Sequence, residues 1–396
     1  MFDDLAALDA QHVMQTYARL PVAFVRGDGV RLWDSEGREY LDFLGGLAVT
    51  SLGHAHPEVA DAVAEQARTL LHVSNLYYNE VQPKLAAKLD GLLGGGGRVF
   101  FSNSGAEANE CAIKLGRRHG QKHGGPDKFH VISANNSFHG RTLTTLAATG
   151  QPAKQATFQP LPTGFSQVEY ADVGALEQQV SALGGNVAAV ILEVIQGEGG
   201  VWPAPQGYLA AVRELCDRIG ALLIVDEVQT GLGRTGEWFA FEHFGVRPDV
   251  VTMAKALGNG VPIGACWATS DAASAFEPGD HATTYGGQPL AARAALTTLQ
   301  VMQRENVPER AARAGARLAD GLAATAGVSS VRGLGLLLAA ELAPGLDSKA
   351  VATALLESGL VVNAVTPTAL RFEPSLLVTD DEIDEALTVL AKVLAQ

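Results

Sequence analysis

Ala221-Leu-Leu-Ile-Val-Asp226 is an unbroken apolar run closed by a carboxylate, and similar runs recur at Arg98 to Phe101, Phe129 to Ile132, Val187 to Leu192, Asp249 to Met253 and Ile263 to Ala268. Apolar residues without alternation are what a strand buried on both faces requires, and the helix-length amphipathic segments between the runs suit crossover connections. This rhythm predicts an α/β domain with a largely parallel sheet, in which ligands gather at the carboxyl ends of the strands. Asp226 falls at the end of one run and Lys255 follows another, so one crevice is expected to receive both.

Upstream, Arg31 to Phe43 alternates like a solvent-facing strand pair, and Asp34 to Gly37 reads as its hairpin turn, which predicts a small antiparallel arm. Beyond about residue 290 a long Ala/Leu/Arg-rich helical stretch leads to Val331-to-Leu342, a further helix and two short strands around Leu360 and Leu370. The expected division is an arm at 1–58 that joins the smaller domain, a large domain at 59–292 and a C-terminal small domain at 293–396. A chain of 396 residues, 47% hydrophobic and 18% charged, suits two ordinary globular cores.

Acidic residues exceed Lys plus Arg by 43 − 29 = 14, and no dense basic tract follows, so nucleic acid is not an expected partner. The acidic start and the lack of an apolar run near the ~20 residues of a spanning helix argue against targeting peptide and membrane, and the expected location is the cytoplasm. Cys111, Cys216 and Cys266 stand far apart in apolar contexts and are expected as reduced core residues.

An amine among apolar neighbours, as at Lys255, has a lowered pKa because desolvation disfavours its charged form, so it can attack an aldehyde and hold it covalently. Pyridoxal phosphate needs such an amine and a carboxylate against its ring nitrogen, for which Asp226 is the candidate. The plainer readings are a lysine snorkelling from a helix and a solvated strand-end acid. A magnesium-binding strand of a P-loop nucleotidase would require a Gly-Lys dipeptide, and the chain contains none.

Ser104-Gly105-Ala106 sits between a strand and a helical pattern, where free N–H groups and the helix dipole face an anion. Ser104 with Glu107 also reads as a capping box, and the two readings are compatible. Phe138-His-Gly-Arg141 places a ring that can stack on a flat heterocycle near a guanidinium that can fork a carboxylate; alone, a core Phe and a surface Arg suffice. Glu193 ends a strand, and Glu198 lies between glycines, which suits a mobile gate. His54-Ala-His56 has metal-like spacing without accompanying ligands, and no metal site is expected.

Taken together, Gly53-His-Ala-His-Pro, Asn103-Ser-Gly-Ala-Glu-Ala-Asn-Glu, Phe138-His-Gly-Arg-Thr, Gln196-Gly-Glu-Gly-Gly-Val, Asp226-Glu-Val-Gln-Thr-Gly-Leu-Gly-Arg-Thr-Gly, Ala254-Lys-Ala-Leu-Gly, Thr283-Thr-Tyr-Gly-Gly and Arg371-Phe-Glu-Pro resemble the class III pyridoxal-phosphate aminotransferases nearly end to end, and most closely those acting on acetylornithine. The resemblance implies fold type I, with a mainly parallel seven-stranded sheet plus a smaller α+β domain, and pyridoxal 5′-phosphate as cofactor. It implies that Lys255 binds the cofactor and shuttles the proton between substrate Cα and cofactor C4′. Asp226 would face the pyridine nitrogen, Gln229 the phenolic oxygen and Phe138 the ring. Ser104, Gly105 and Ala106 would hold the phosphate, helped by Thr284 from the partner subunit of a homodimer. Arg141 would bind the donor's α-carboxylate. Glu198 would neutralise Arg371 until 2-oxoglutarate displaces it.

The arm lacks the tyrosine of ornithine aminotransferases, and Phe138 and Thr230 stand where 4-aminobutyrate enzymes carry Tyr and Ser, so an acylated donor is expected: N2-acetylornithine, in a ping-pong exchange with 2-oxoglutarate within arginine biosynthesis. Acetyl-lysine, succinylornithine and carrier-linked lysine precursors are alternative donors. A glutamate semialdehyde aminomutase or a non-catalytic relative are readings of another class. Val194 and Gln288 depart from the family's usual Pro and Asn, and Val194 leaves its turn less determined.

Overall fold

In the computed structural model, which describes residues 2–395, the apolar runs form strands of one sheet. These are β1 (Gly97–Ser102), β2 (His130–Ala134), β3 (Phe165–Val168), β4 (Val187–Glu193), β5 (Leu222–Asp226), β6 (Val250–Met253) and β7 (Gly264–Thr269). They lie in the order β1-β7-β6-β5-β4-β2-β3. Only β7 runs against its neighbours, β6 and β1, so the sheet is mainly parallel, as the sequence rhythm predicts. Every residue of β4, β5 and β6 is buried, which explains why these stretches show no polar alternation. β3 had no such signal: it is an edge strand, Phe165-Ser-Gln-Val, whose Gln167 Nε2 donates to the Ala147 carbonyl at 2.9 Å.

Register decides where chemistry collects. Glu193 at the end of β4 lies opposite Asp226 at the end of β5, and Asp226 lies opposite Thr252 of β6. Residues in register share a face of the sheet, so these three polar side chains form one row at its carboxyl edge.

The arm is antiparallel, with strands Phe24–Asp28, Arg31–Asp34 and Glu39–Asp42. Its hairpin turn is held by Asp34 Oδ1, which accepts the N–H of Glu36 and of Arg38, both at 2.9 Å. The arm is tied to the far end of the chain: Leu41 and Asp42 pair in parallel with Leu360 and Val361. A separate antiparallel sheet contains Leu337–Leu342, Asn363–Thr366 and Ala369–Phe372, and places Arg371 beside Asn363 and Ala339. The three cysteines are free and buried. Among the described residues no helix is long and apolar enough to cross a membrane. His54 Nε2 lies 2.7 Å from Asp42 Oδ2.

Candidate active site

A cavity of about 450 Å³ opens at the carboxyl edge of the sheet. On one side, β1 ends and the helix Gly105–Gly124 begins, with Ser104 as its N-cap in an extended conformation. Ser104 Oγ accepts the N–H of Glu107 at 3.2 Å. The expected capping box is not completed on Ser104: the Glu107 carboxylate instead takes the backbone N–H of Asn103 at 2.5 Å and its side-chain amide at 2.9 Å. The helix's first N–H groups, at Gly105 and Ala106, have no acceptor within the helix and line the cavity, which is the arrangement that binds an anionic oxygen. β7 opens with Gly264 for a steric reason, since a Cβ there would sit 2.3 Å from the Ser104 carbonyl oxygen.

Asp226 is buried, and its carboxylate is held on three sides. Oδ2 accepts from Asn109 Nδ2 at 2.7 Å and faces His139 Nδ1 at 2.8 Å, while Oδ1 accepts the N–H of Val228 at 3.0 Å. Asn109 is itself fixed, because its Oδ1 accepts from Thr252 Oγ1 at 2.7 Å and its Nδ2 also donates to the His139 carbonyl. A carboxylate offers about four acceptor positions, so three donors leave one for a ligand N–H in the cavity that Asp226 lines. Burial lowers the pKa of His139, but the hydrogen bond and charge of Asp226 outweigh it, with help from Glu193, and the net shift is upward. Glu193, next in the row, accepts the N–H of Phe138 at 2.7 Å and of Gly197 at 3.2 Å. Burial drives its pKa up to about 7, His139 opposing and Asp226 adding to the rise.

Lys255 follows β6 with φ +43°, a left-handed conformation that a residue with a side chain rarely adopts. Its side chain is walled by protein yet reaches the open cavity, so it is partly accessible. Desolvation lowers its pKa; the carboxylate of Glu373 is the largest opposing influence. Phe138 lines the cavity, with the guanidinium of Arg141 5.7 Å and the amine of Lys154 5.0 Å from its ring centre. Among the described residues Arg141 pairs with no carboxylate, and it is exposed at the cavity wall.

The Gly-rich turn after β4 brings Glu198 to Arg371, Oε1 to Nη1 2.8 Å. Arg371 is 1% exposed and Glu198 31%, so the acid stands between the guanidinium and the cavity. Burial raises the Glu198 pKa, but the Arg371 charge more than reverses this and the net shift is downward. Gly197 lies against Gln229: a Cβ there would fall 1.8 Å from Gln229 Oε1 and push that side-chain amide aside. Val194 keeps the turn that a proline was expected to shape, for it packs in the core and its carbonyl accepts from Tyr170 Oη and from the Ala204 N–H, both at 2.9 Å. Gln288 caps the helix that follows it by accepting the Leu290 N–H at 3.2 Å.

Nine of the eleven site residues named from sequence line this cavity: Ser104, Gly105, Ala106, Phe138, Arg141, Glu198, Asp226, Gln229 and Lys255. Arg371 lies behind Glu198, and Thr284 is an exposed residue away from the cavity of its own chain. Anion cup, flat aromatic wall, spare acceptor on Asp226 and desolvated amine together fit pyridoxal phosphate. Sequence reasoning gave no role to Asn109, His139, Glu193 or Glu373. Asn109, His139 and Glu373 lie within the quoted motifs and Glu193 only at a strand end, but a hydrogen-bond relay across three strands leaves no spacing pattern in a chain.

The family model described as "Aminotransferase class-III" matches residues 13–394. An acetylornithine aminotransferase of Caldanaerobacter subterraneus subsp. tengcongensis is 46% identical over 98% of each chain. One of Gloeobacter violaceus is 49% identical over 98% of this chain and 96% of its own. Among solved structures, the ornithine aminotransferase of Toxoplasma gondii superposes with a TM-score of 0.95 at 38% identity, covering all of this chain and 95% of the other. The acetylornithine aminotransferase of Elizabethkingia anophelis gives 0.88 at 32% identity, covering all of this chain and 99% of its own.

Proposed function

We infer the reaction from one premise: this chain belongs to the class III aminotransferase family, whose members are pyridoxal-phosphate enzymes. The reading is a transaminase that moves the distal amino group of N2-acetylornithine to 2-oxoglutarate, giving N-acetylglutamate 5-semialdehyde and glutamate, as a step of arginine synthesis in the cytoplasm. The observation that carries it is the closed Glu198–Arg371 pair at the cavity, because it lets one site take two unlike substrates in turn.

The cofactor supplies an electrophilic carbon for the amine and a ring that accepts electrons from the adjacent carbon. The protein's residues do the rest. Gly105, Ala106 and Ser104 bind the phosphate at the helix terminus. Asp226, its carboxylate fixed by three donors, would face the ring nitrogen and favour its protonated form, and Phe138 would stack against the ring. Lys255 Nζ, whose pKa desolvation lowers so that the neutral amine is favoured, moves the proton from the carbon that bears the reacting amine. Arg141 forks the donor's α-carboxylate. With Glu198 on Arg371, no free cation awaits a second carboxylate, so a donor enters with its distal amine foremost. When 2-oxoglutarate arrives, Glu198 turns out on its glycine hinge and Arg371 takes the α-carboxylate.

An acylated donor suits the apolar wall formed by Val49, Ile195, Val261, Pro262 and Ile263, which offers nothing to a free ammonium. A homodimer suits the exposed side chains of Leu70, Leu71, Leu76, Tyr77, Tyr78 and Tyr285, and the position of Thr284, which would serve the partner subunit's phosphate site. In this reading residues 1–58 join 293–396 around the large domain at 59–292. Steady-state kcat/KM with 2-oxoglutarate for N2-acetylornithine, ornithine, acetyl-lysine and 4-aminobutyrate tests the substrate assignment. N2-acetylornithine should lead, and a lead by any other donor replaces it.

A further inference from the structure

Glu373 is fully buried beside the cavity, two residues beyond Arg371, and it holds two groups at once. Its Oε1 accepts from Gln229 Nε2 at 2.6 Å, and its Oε2 lies 3.1 Å from Arg371 Nε. The guanidinium is therefore engaged at all three nitrogens: Nε by Glu373, Nη2 by Asn363 Oδ1 at 3.1 Å, and Nη1 by Glu198 at 2.8 Å. These partners differ in mobility. Asn363 lies on a strand paired with that of Arg371. The Glu373 backbone is pinned to the arm, donating its N–H to the Phe43 carbonyl at 2.7 Å, and its own carbonyl lies where a Cβ on Gly45 would come within 2.8 Å. Glu198 is the partly exposed member, between glycines. Its contact and that of Glu373 are close ion pairs without hydrogen-bond alignment, since Arg371 Nε, Arg371 Nη1 and Glu373 Oε2 are left without an aligned partner.

We propose that Glu373 is a positioning residue that joins the substrate arginine to the residue facing the cofactor's phenolic oxygen. By holding Arg371 at Nε, it leaves Nη1 as the corner where Glu198 and an incoming carboxylate exchange. By accepting one N–H of Gln229, it fixes the side-chain amide with its second N–H free for the cofactor oxygen. It also keeps a counter-charge on Arg371 while Glu198 is turned away, so the open gate never leaves a bare buried cation. Charge is consistent with this: burial lowers the Arg371 pKa, but the charges of Glu373 and Glu198 raise it, and the net shift is upward.

The inference rests on the gate described above, and the test separates the two. Glutarate, a non-reacting dicarboxylate, is titrated by calorimetry into the enzyme loaded with pyridoxamine phosphate. The visible band of the pyridoxal-phosphate form is titrated against pH. Arg371→Ala should abolish glutarate binding; if it does not, the gate reading fails irrespective of Glu373. Glu373→Ala should weaken glutarate about tenfold, the size expected for one charge-assisted contact, whereas Glu373→Gln, which keeps an acceptor for Arg371, should stay within about threefold. Both variants remove a negative charge from the cofactor's surroundings, which destabilises the protonated form of the cofactor linkage, so both should move the band's transition to lower pH by about half a unit. A parental value for either readout in Glu373→Ala overturns the proposal. Should that variant fail to fold, Glu373→Gln decides alone, and an unshifted transition refutes it.

Discussion

Asp226→Asn in the cofactor-free protein isolates the electrostatic core of the site. The parent carboxylate meets three donors, Asn109 Nδ2, His139 Nδ1 and the Val228 N–H. An amide in any orientation turns its own N–H groups toward at least one of them, so a buried donor faces a donor. The change also strips His139 of its counter-charge. Breaking a buried, hydrogen-bonded pair from one side costs about 3 kcal/mol at the low end of such cases. Unfolding entropy for a chain of 396 residues is about 0.8 kcal/mol/K, so the melting temperature should fall by about 4 °C at pH 6. The sign of the pH dependence follows from His139. Its folded pKa is raised, so its contribution is complete below the unfolded value near 6.5 and is lost as pH rises through the folded value. The deficit of Asp226→Asn should therefore be larger at pH 6 than at pH 9. Differential scanning calorimetry of both proteins at the two pH values is the assay. A fall under about 1 °C at pH 6, or a deficit that grows with pH, would refute the reasoning.

Glu198→Gln breaks the closed gate, and the ratio of kcat/KM for glutamate to that for N2-acetylornithine should rise about tenfold, the worth of one charge-assisted contact; an unchanged ratio removes the gate. Glu193→Gln mimics the protonated form of an acid whose pKa burial lifts to about 7. The parent loses stability as pH rises from about 4.5 to about 7, by at most about 3 kcal/mol, so the variant should gain on it between pH 5 and 8 in denaturant melts, and a constant offset would contradict this. In sedimentation equilibrium the protein should behave as twice 41.4 kDa, and Thr284→Asp in one subunit should weaken cofactor binding in the other; a monomer with full cofactor affinity would refute the shared site.

The sheet was legible because β4, β5 and β6 are buried on both faces, which forces unbroken apolar runs into the sequence. Edge strand β3 was not, since half of Phe165-Ser-Gln-Val faces polar neighbours and resembles a loop. Likewise, the cavity-lining residues stood out as motifs at strand ends, where an otherwise apolar run must stop on something polar. The groups that hold those residues did not. Asn109 reads as an ordinary helix residue until the fold sets it 2.7 Å from Asp226, and Glu373 as a residue after a strand until Gln229 and Arg371 converge on it. Ser104 and Glu107 show the limit in another way: the spacing for a capping box was present, yet Glu107 turned to Asn103 and left the Ser104 N–H uncapped by it. Side-chain choice between near-equal partners depends on tertiary surroundings that spacing does not contain.

The central claim is a transaminase that takes its amino group from an acylated distal amine, and a single turnover without 2-oxoglutarate tests it most directly. The purified, cofactor-loaded protein should be yellow, and mixing with N2-acetylornithine alone should convert its visible band rapidly and stoichiometrically to the near-ultraviolet band of the aminated cofactor, while ornithine and 4-aminobutyrate act slowly. Conversion that is absent with N2-acetylornithine and rapid with another donor would contradict the assignment.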